Sequence, residues 1–200
     1  MHIIEKSQSG WESGLIPSER ICLFQIALDT LSACVRDPRQ DLSWDRYERT
    51  AALQEERACF VTLHLPGGML RGCIGTLEPV APLYRSVHDN TVSAALHDPR
   101  FTPVQMEEIP HIKLTISILS PAQPIEDIVD FVPGRHGIIL EKQGRRAVFL
   151  PEVAAEQGWT RGETLGALCQ KAGLPEQAWQ TDALFAIFHT AILSNSSVGN

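Results

Sequence analysis

Cys73 lies in the run Leu70-Arg71-Gly72-Cys73-Ile74-Gly75-Thr76, two places after an arginine and between two glycines. In an extended strand, positions i and i+2 project to the same side, so Arg71 and Cys73 are predicted to share a face. A guanidinium beside the sulfur favours thiolate over thiol by charge, which is the chemistry of a nucleophile. Gly72 and Gly75 take side chains away from the flanks of the sulfur, so a ligand or another backbone can approach. His64, diagonal to Cys73 across a predicted hairpin, is the residue that would accept the thiol proton. The same residues also fit a plainer architecture. The glycines then allow close packing or a bulge, Arg71 pairs with an acid, and Cys73 fills space as free cysteines commonly do.

Arg71 and Arg100 have the planar fork that grips a carboxylate or phosphate with two hydrogen bonds. Arg100 follows the Asp98-Pro99 that ends a predicted helix, so it is equally suited to local carbonyls or to Asp98. His136 and Glu152 are further binding candidates. For Glu152 the competing role is that of an acid in the first turn of a helix. His88 and His97 are nine places apart, whereas metal ligands on one helix face need a spacing of three or four. His64, Cys73 and His136 have no spacing that demands a metal, and neither metal nor cofactor is predicted.

Positioning these residues requires strands and helices in a definite order. Residues 58–65 alternate, with Cys59, Val61, Leu63 and Leu65 on one face and Phe60, Thr62 and His64 on the other. Pro66-Gly67-Gly68 is a turn, and a two-residue Gly67-Gly68 loop pairs Leu65 with Leu70, Leu63 with Gly72 and Val61 with Ile74. His64 then faces Arg71, and Thr62 faces Cys73. Before this hairpin, Phe24, Ala27, Leu28, Leu31 and Val35 trace the inner stripe of a helix over 17–35. After it, a helix is predicted over 79–98, a strand over 112–119 and a short helical piece over 125–131. A second hairpin, 136–141 with 145–150, turns at Gln143-Gly144. Two helices follow: a short one from Pro151 stopped by Gly158, and one opened by the Thr160-to-Glu163 capping box and closed near Gly173. Residues 184–188 read as a last strand. Residues 1–16 are expected to be loose, 17–193 to form one domain, and 194–200 to be a disordered tail.

Hairpins interspersed with helices predict an α+β fold with a largely antiparallel sheet and packed helices. A net charge of -7 without any Lys/Arg block argues against nucleic acid as the ligand. No apolar run reaches the roughly 18 residues of a membrane span. Five scattered cysteines and a polar, mixed-charge N-terminus point to reduced thiols and a cytoplasmic location.

Leu70–Thr76 resembles the signature of the AMMECR-type domain family. The likeness continues through Asp98-Pro99-Arg100-Phe101, Ile116–Leu119, Gly137-Ile138-Ile139, Leu150–Val153, Glu156–Trp159 and Lys171–Leu174. His64 and His136 are not part of that pattern. The resemblance implies a larger and a smaller subdomain with a cleft bordered by the Leu70–Thr76 segment. It also implies the company of a Memo-like protein and a radical S-adenosylmethionine protein, and it brings no settled reaction. Two functional classes therefore stay open. One is a cytoplasmic binding or adaptor component that takes a partner, a peptide or a small anionic ligand, and it describes the chain by itself slightly better. The other is a thiol-dependent enzyme in which Cys73 attacks a small anionic acyl or thioester group, Arg71 holds the anion and His64 or His136 moves the proton.

Overall fold

The structure is a computed structural model that describes residues 2–7 and 9–195. Among these residues the alternating and helical stretches form nine strands and five helices. In chain order they begin β1 (Ile3–Lys6), α1 (Pro17–Arg36), α2 (Ala51–Gln54), β2 (Cys59–His64), β3 (Leu70–Gly75) and α3 (Leu83–Leu96). They continue β4 (Lys113–Leu119), β5 (Gln123–Ile125), β6 (Gly137–Lys142) and β7 (Arg145–Phe149). The last four are α4 (Pro151–Gln157), α5 (Arg161–Lys171), β8 (Leu184–Phe188) and β9 (Thr190–Asn195). The α+β class predicted from the hairpins is the class found, built on two antiparallel sheets. The chain divides into two units, one holding Glu12–Leu119 with β1 and most of β9, the other holding Ser120–Thr190 with Ser7–Trp11.

The first unit is built on a five-stranded sheet in the order β1-β9-β4-β2-β3, which makes β3 an edge strand. The period-2 pattern of β2 sorts its side chains as expected: Cys59, Val61 and Leu63 are fully buried, opposite Ile118, Ile116 and Leu114 of β4. This face packs under α3, which lies against α1. The inner stripes of the two helices, including Leu23, Ile26, Ala27 and Leu31 with Leu83, Val87 and Ala94, are nearly inaccessible to solvent. Each large aliphatic side chain so buried contributes about 1.5–3 kcal/mol of transfer free energy.

The second unit has a four-stranded sheet in the order β5-β8-β6-β7. Ile138, Leu140 and Ala147 turn one face of it toward Leu165, Leu168 and Cys169 of α5, with Phe131 filling the space beside them. The β6–β7 turn sits at Gln143-Gly144 with φ of 52° and 72°, both in the left-handed region that a tight hairpin turn needs. Thr160 and Glu163 form the predicted capping box, the Glu163 carboxylate accepting from the Thr160 N–H at 2.8 Å.

Four local expectations change. The loose stretch 1–16 contains β1, whose partner β9 is the far end of the chain; four residues are too few to show a period. Ser194 and Asn195 belong to β9 and pair with Ile4 and Ile3, whereas 196–200 of the expected tail lie outside the described residues. The helical piece expected over 125–131 is the end of β5 followed by a single 3-10 turn, Ile128–Asp130. There the Asp127 carboxylate takes the Val129 N–H at 2.9 Å, a cap that serves one turn only. Finally, α3 begins at Leu83, because Pro82 occupies the capping position in place of a helical one.

Candidate functional site

The turn after β2 runs through Pro66-Gly67-Gly68, with φ near +80° at both glycines, and the Leu65 N–H closes on the Met69 carbonyl at 2.8 Å. This is longer than a two-residue loop, and the register is adjusted by a bulge. Val61–Ile74, Thr62–Cys73 and Leu63–Gly72 pair as the hydrophobic pattern requires, but His64 faces Leu70. Arg71 is therefore the extra residue of the bulged strand, not the cross-strand partner of His64. A bulge re-aims the side chain it releases. The Arg71 guanidinium is 8 % exposed as a residue and bound on every side. Its Nε and Nη2 donate to the two carboxylate oxygens of Glu108 at 2.6 and 3.0 Å, and its Nη1 donates to the Thr102 carbonyl at 2.9 Å. The pair holds the Glu108 carboxyl below the ordinary glutamate range, the hydrogen bond from Arg71 being the largest cause.

The cation beside Cys73 is Arg100. Cys73 has a half-buried side chain on an edge strand, and its backbone N–H and C=O have outside partners. The N–H donates to the Asp98 carboxylate at 2.9 Å, and the carbonyl accepts from Arg100 Nη2 at 3.1 Å. Arg100 in turn donates through Nε and Nη2 to both oxygens of Asp98, at 2.9 and 2.7 Å. Asp98 and Arg100 thus offer the edge one acceptor and one donor, as a neighbouring strand would. Asp98 is buried, and the hydrogen bond from Arg100, against the opposing effect of burial, brings its carboxyl down to about 2. The guanidinium of Arg100 is correspondingly held in its charged form, first by Asp98 and further by the nearby Cys73 side chain.

Around the sulfur, Thr62 Oγ1 donates to Cys73 Sγ at 3.3 Å. Thr62, Phe60 and His64 project on the side of β2 opposite the buried Val61 and Leu63, and all three are half-buried. No hydrogen bond joins His64 to the sulfur among the described residues. The glycines are accounted for by packing. A side chain at Gly72 would run into the Ala94 carbonyl oxygen of α3, and one at Gly75 into the Phe60 ring and the Cys59 carbonyl oxygen. The space beside both glycines is already filled by protein.

His136 and Glu152 belong to the second unit. The His136 ring meets His189 edge-on at 5.0 Å between centroids, and its Nδ1 accepts the Val132 N–H at 3.2 Å. Burial is the first cause that lowers both imidazoles below their ordinary value, and His189 Nδ1 is buried without a hydrogen-bond partner among the described residues. Burial also pushes the Glu152 carboxyl up, and its Oε2 likewise has no hydrogen-bond partner among the described residues. His88 is tied to Asp89 and stacked edge-on against Trp44. Among the described residues no group of three or more His, Cys, Asp or Glu side chains is placed to hold a metal ion. No helix among them is long and apolar enough to cross a membrane.

Two residues of this site carry little local signal. Glu108 is 37 positions from Arg71, and only the need of a buried guanidinium for an acid points to it. Thr62 is visible solely through the cross-strand register.

An uncharacterized protein from Pyrococcus horikoshii, known from its crystal structure, superposes with a TM-score of 0.78 at 30% identity, covering 85% of this chain and 88% of that one. A Methanocaldococcus jannaschii protein is 42% identical over 137 residues, which is 65% of this chain and 68% of its own length. A Thermotoga maritima protein is 38% identical over 149 residues, or 74% and 80% of the two chains. Residues 24–193, which include the edge strand with its Asp98–Arg100 clasp, match the AMMECR1 family, and the chain belongs to that family.

Proposed function

We propose that the chain is a non-catalytic binding component that presents the half-buried face of Phe60, Thr62, His64 and Cys73 to a partner. The observation that carries this reading is the state of the sulfur: it accepts a hydrogen bond from Thr62, and among the described residues no proton acceptor is hydrogen-bonded to it. The charges around it are spent internally, Arg71 on Glu108 and Arg100 on Asp98. What is left is a fixed, mostly uncharged patch on one side of an edge hairpin, suited to recognition more than to turnover. The family resemblance supplies the partners to try first, a Memo-like protein and a radical S-adenosylmethionine protein, with the chain acting beside them in the cytoplasm.

The test is capture of each of those two proteins, in purified form, by the chain and by two variants. Cys73→Ser is expected to retain capture, and Thr62→Arg, which plants a bulky charge on the patch, to abolish it while melting stays cooperative. Loss with Cys73→Ser, or indifference to Thr62→Arg, removes the reading.

One observation favours a second reading, the Arg100 guanidinium lying near a half-exposed thiol. In that case His64 takes the Cys73 proton, Cys73 Sγ bonds to the acyl carbon of a small anionic thioester as the original acyl C–S bond breaks, and the departing thiolate takes the proton back from His64. Iodoacetamide alkylation mapped across pH separates the two: the enzyme reading requires Cys73 to react faster than Cys22, the other half-exposed cysteine, at neutral pH.

A further inference from the structure

The second unit has a surface that the Cys73 reading does not use. The face of its sheet turned away from α5 carries two rows of residues across the strands. Pro124, Ala186 and Ile139 stand side by side in one row, and Leu184, Glu141 and Arg146 in the other. A trough of about 880 Å3 takes in these rows. Its apolar part includes Leu184, which is 71 % exposed, and the buried Ile139, and its lining also takes in Phe185 and Trp179, which pack against the α5-side core. Its polar part includes Glu126, Asp127, Glu141 and Asp182, all on the solvent side. Among the described residues Arg146 is the one cation of the lining, and it stands directly opposite Glu141 in the β6–β7 register. Four carboxylates against one guanidinium leave the trough formally three charges negative.

The walls are fixed before anything binds. Lys142 donates to the Ala178 carbonyl at 2.9 Å and also to the Thr181 carbonyl, which pins the segment that carries Trp179 and Asp182. Asp182 itself has φ of 47°, a left-handed conformation that aspartate and asparagine tolerate better than most residues.

We propose that this trough binds an extended, basic segment of a partner protein, in which lysines or arginines alternate with apolar residues. The charge selects a cation, and the lining sets Leu184 beside Glu141, an apolar and an acidic side chain about one strand spacing apart in the β6–β8 register. The shape selects a segment over a small amine. Most of the rim is exposed, so the trough cannot enclose a small ligand to the 70–90% that such sites usually achieve. An extended chain gains by running along it, with an apolar residue beside Leu184 and basic residues beside Glu141, Asp182 and Glu126. This surface lies in a different unit from Cys73, and the inference stands or falls without the reading given above.

The experiment uses the full chain labelled with 15N and three probes. These are an acetylated, amidated hexapeptide of alternating lysine and leucine, its glutamate-for-lysine counterpart, and hexylamine. The basic peptide is expected to shift the amide signals of Ile139, Trp179 and Leu184, with affinity that falls as salt rises from 50 to 300 mM. The triple variant Glu126→Gln, Glu141→Gln, Asp182→Asn is expected to weaken it about tenfold and flatten the salt dependence, from three exposed pairs at ordinary strength. Asparagine is chosen at 182 because it also tolerates the positive φ. Leu184→Ala, at a side chain that supports no core, should weaken it about threefold. The proposal is overturned if the acidic peptide binds as well, if hexylamine matches the basic peptide, if the signals that move lie elsewhere, or if neither variant differs from the parent.

Discussion

The β3 edge and the second unit's His136, His189 and Glu152 treat buried polar groups in opposite ways. At the edge the charged and backbone groups around Cys73 are answered: the backbone of 73 by Asp98 and Arg100, those two by each other, and Arg71 by Glu108, with the Thr76 hydroxyl at the strand's end the exception. In the second unit, His189 Nδ1 and Glu152 Oε2 are buried without a hydrogen-bond partner among the described residues, and burial displaces His136, His189 and Glu152 toward their neutral forms. The edge therefore gains from its charges, whereas the second region bears a desolvation cost for its own. The difference teaches that a run of conspicuous residues can be an architectural device, and that unanswered groups can sit among inconspicuous ones.

The strongest way to break this comparison is Asp98→Ala. It strips the acceptor from the Cys73 N–H and strands Arg100, and should cost about 3 kcal/mol in urea unfolding. Asp98→Asn, which keeps one acceptor, should cost less. A cost below about 1 kcal/mol would mean that the clasp does not hold the edge. Next, Arg71→Met should cost about 3 kcal/mol because it leaves Glu108 without its partner. Adding Glu108→Gln should return part of that loss, and the double-mutant cycle reads their coupling directly. Gly72→Ala should cost about 1–3 kcal/mol, since the methyl meets the α3 backbone and not a flexible side-chain end.

Titration sharpens the contrast. Asp98 has a folded pKa of about 2, below its unfolded value of about 3.9, so its contribution is present above the latter and is lost as pH falls toward the former. Because the group is buried, the loss is on the order of 2 kcal/mol, and Asp98→Asn should flatten that part of the acid limb. His136 and His189 act in the same direction at higher pH. Their folded values are lowered, so stability present above about 6.5 is lost as pH falls through those values. Glu152 has the opposite sign: its raised value gives stability below about 4.3 that is lost as pH rises through the folded pKa. Accordingly Glu152→Gln should be neutral or stabilising by up to about 1 kcal/mol at pH 7, the smallest of these effects, and destabilisation beyond that would show that Oε2 is answered after all.

Much of this fold was legible because periodicity is a local property. The alternation of Cys59 to Leu63 fixed which face of β2 is buried, and Gln143-Gly144 and the Thr160–Glu163 pair marked a turn and a helix start. The candidate site was legible as a place more than as an arrangement. The Thr62–Cys73 pairing follows from the pattern, but a bulge that displaces Arg71 depends on a longer turn, which Pro66-Gly67-Gly68 does not by itself distinguish from a two-residue loop. With Arg71 displaced, the guanidinium beside the sulfur comes from a loop 27 residues later, and no local rule makes that assignment. The β1–β9 pairing was illegible for a related reason: its two strands are short and joined across nearly the whole chain.

The clasp at Asp98 and Arg100 has a consequence for how this molecule meets copies of itself. A bare outermost strand presents a row of unpaired backbone groups, a template on which another chain can zip. Here the middle of that strand is already shut by an ion pair anchored in a buried carboxylate. An incoming strand would have to expel a charge before gaining its first bond. Acid strong enough to neutralise Asp98 would undo that guard, so resistance to fibre growth should fail at the same pH at which the edge loosens.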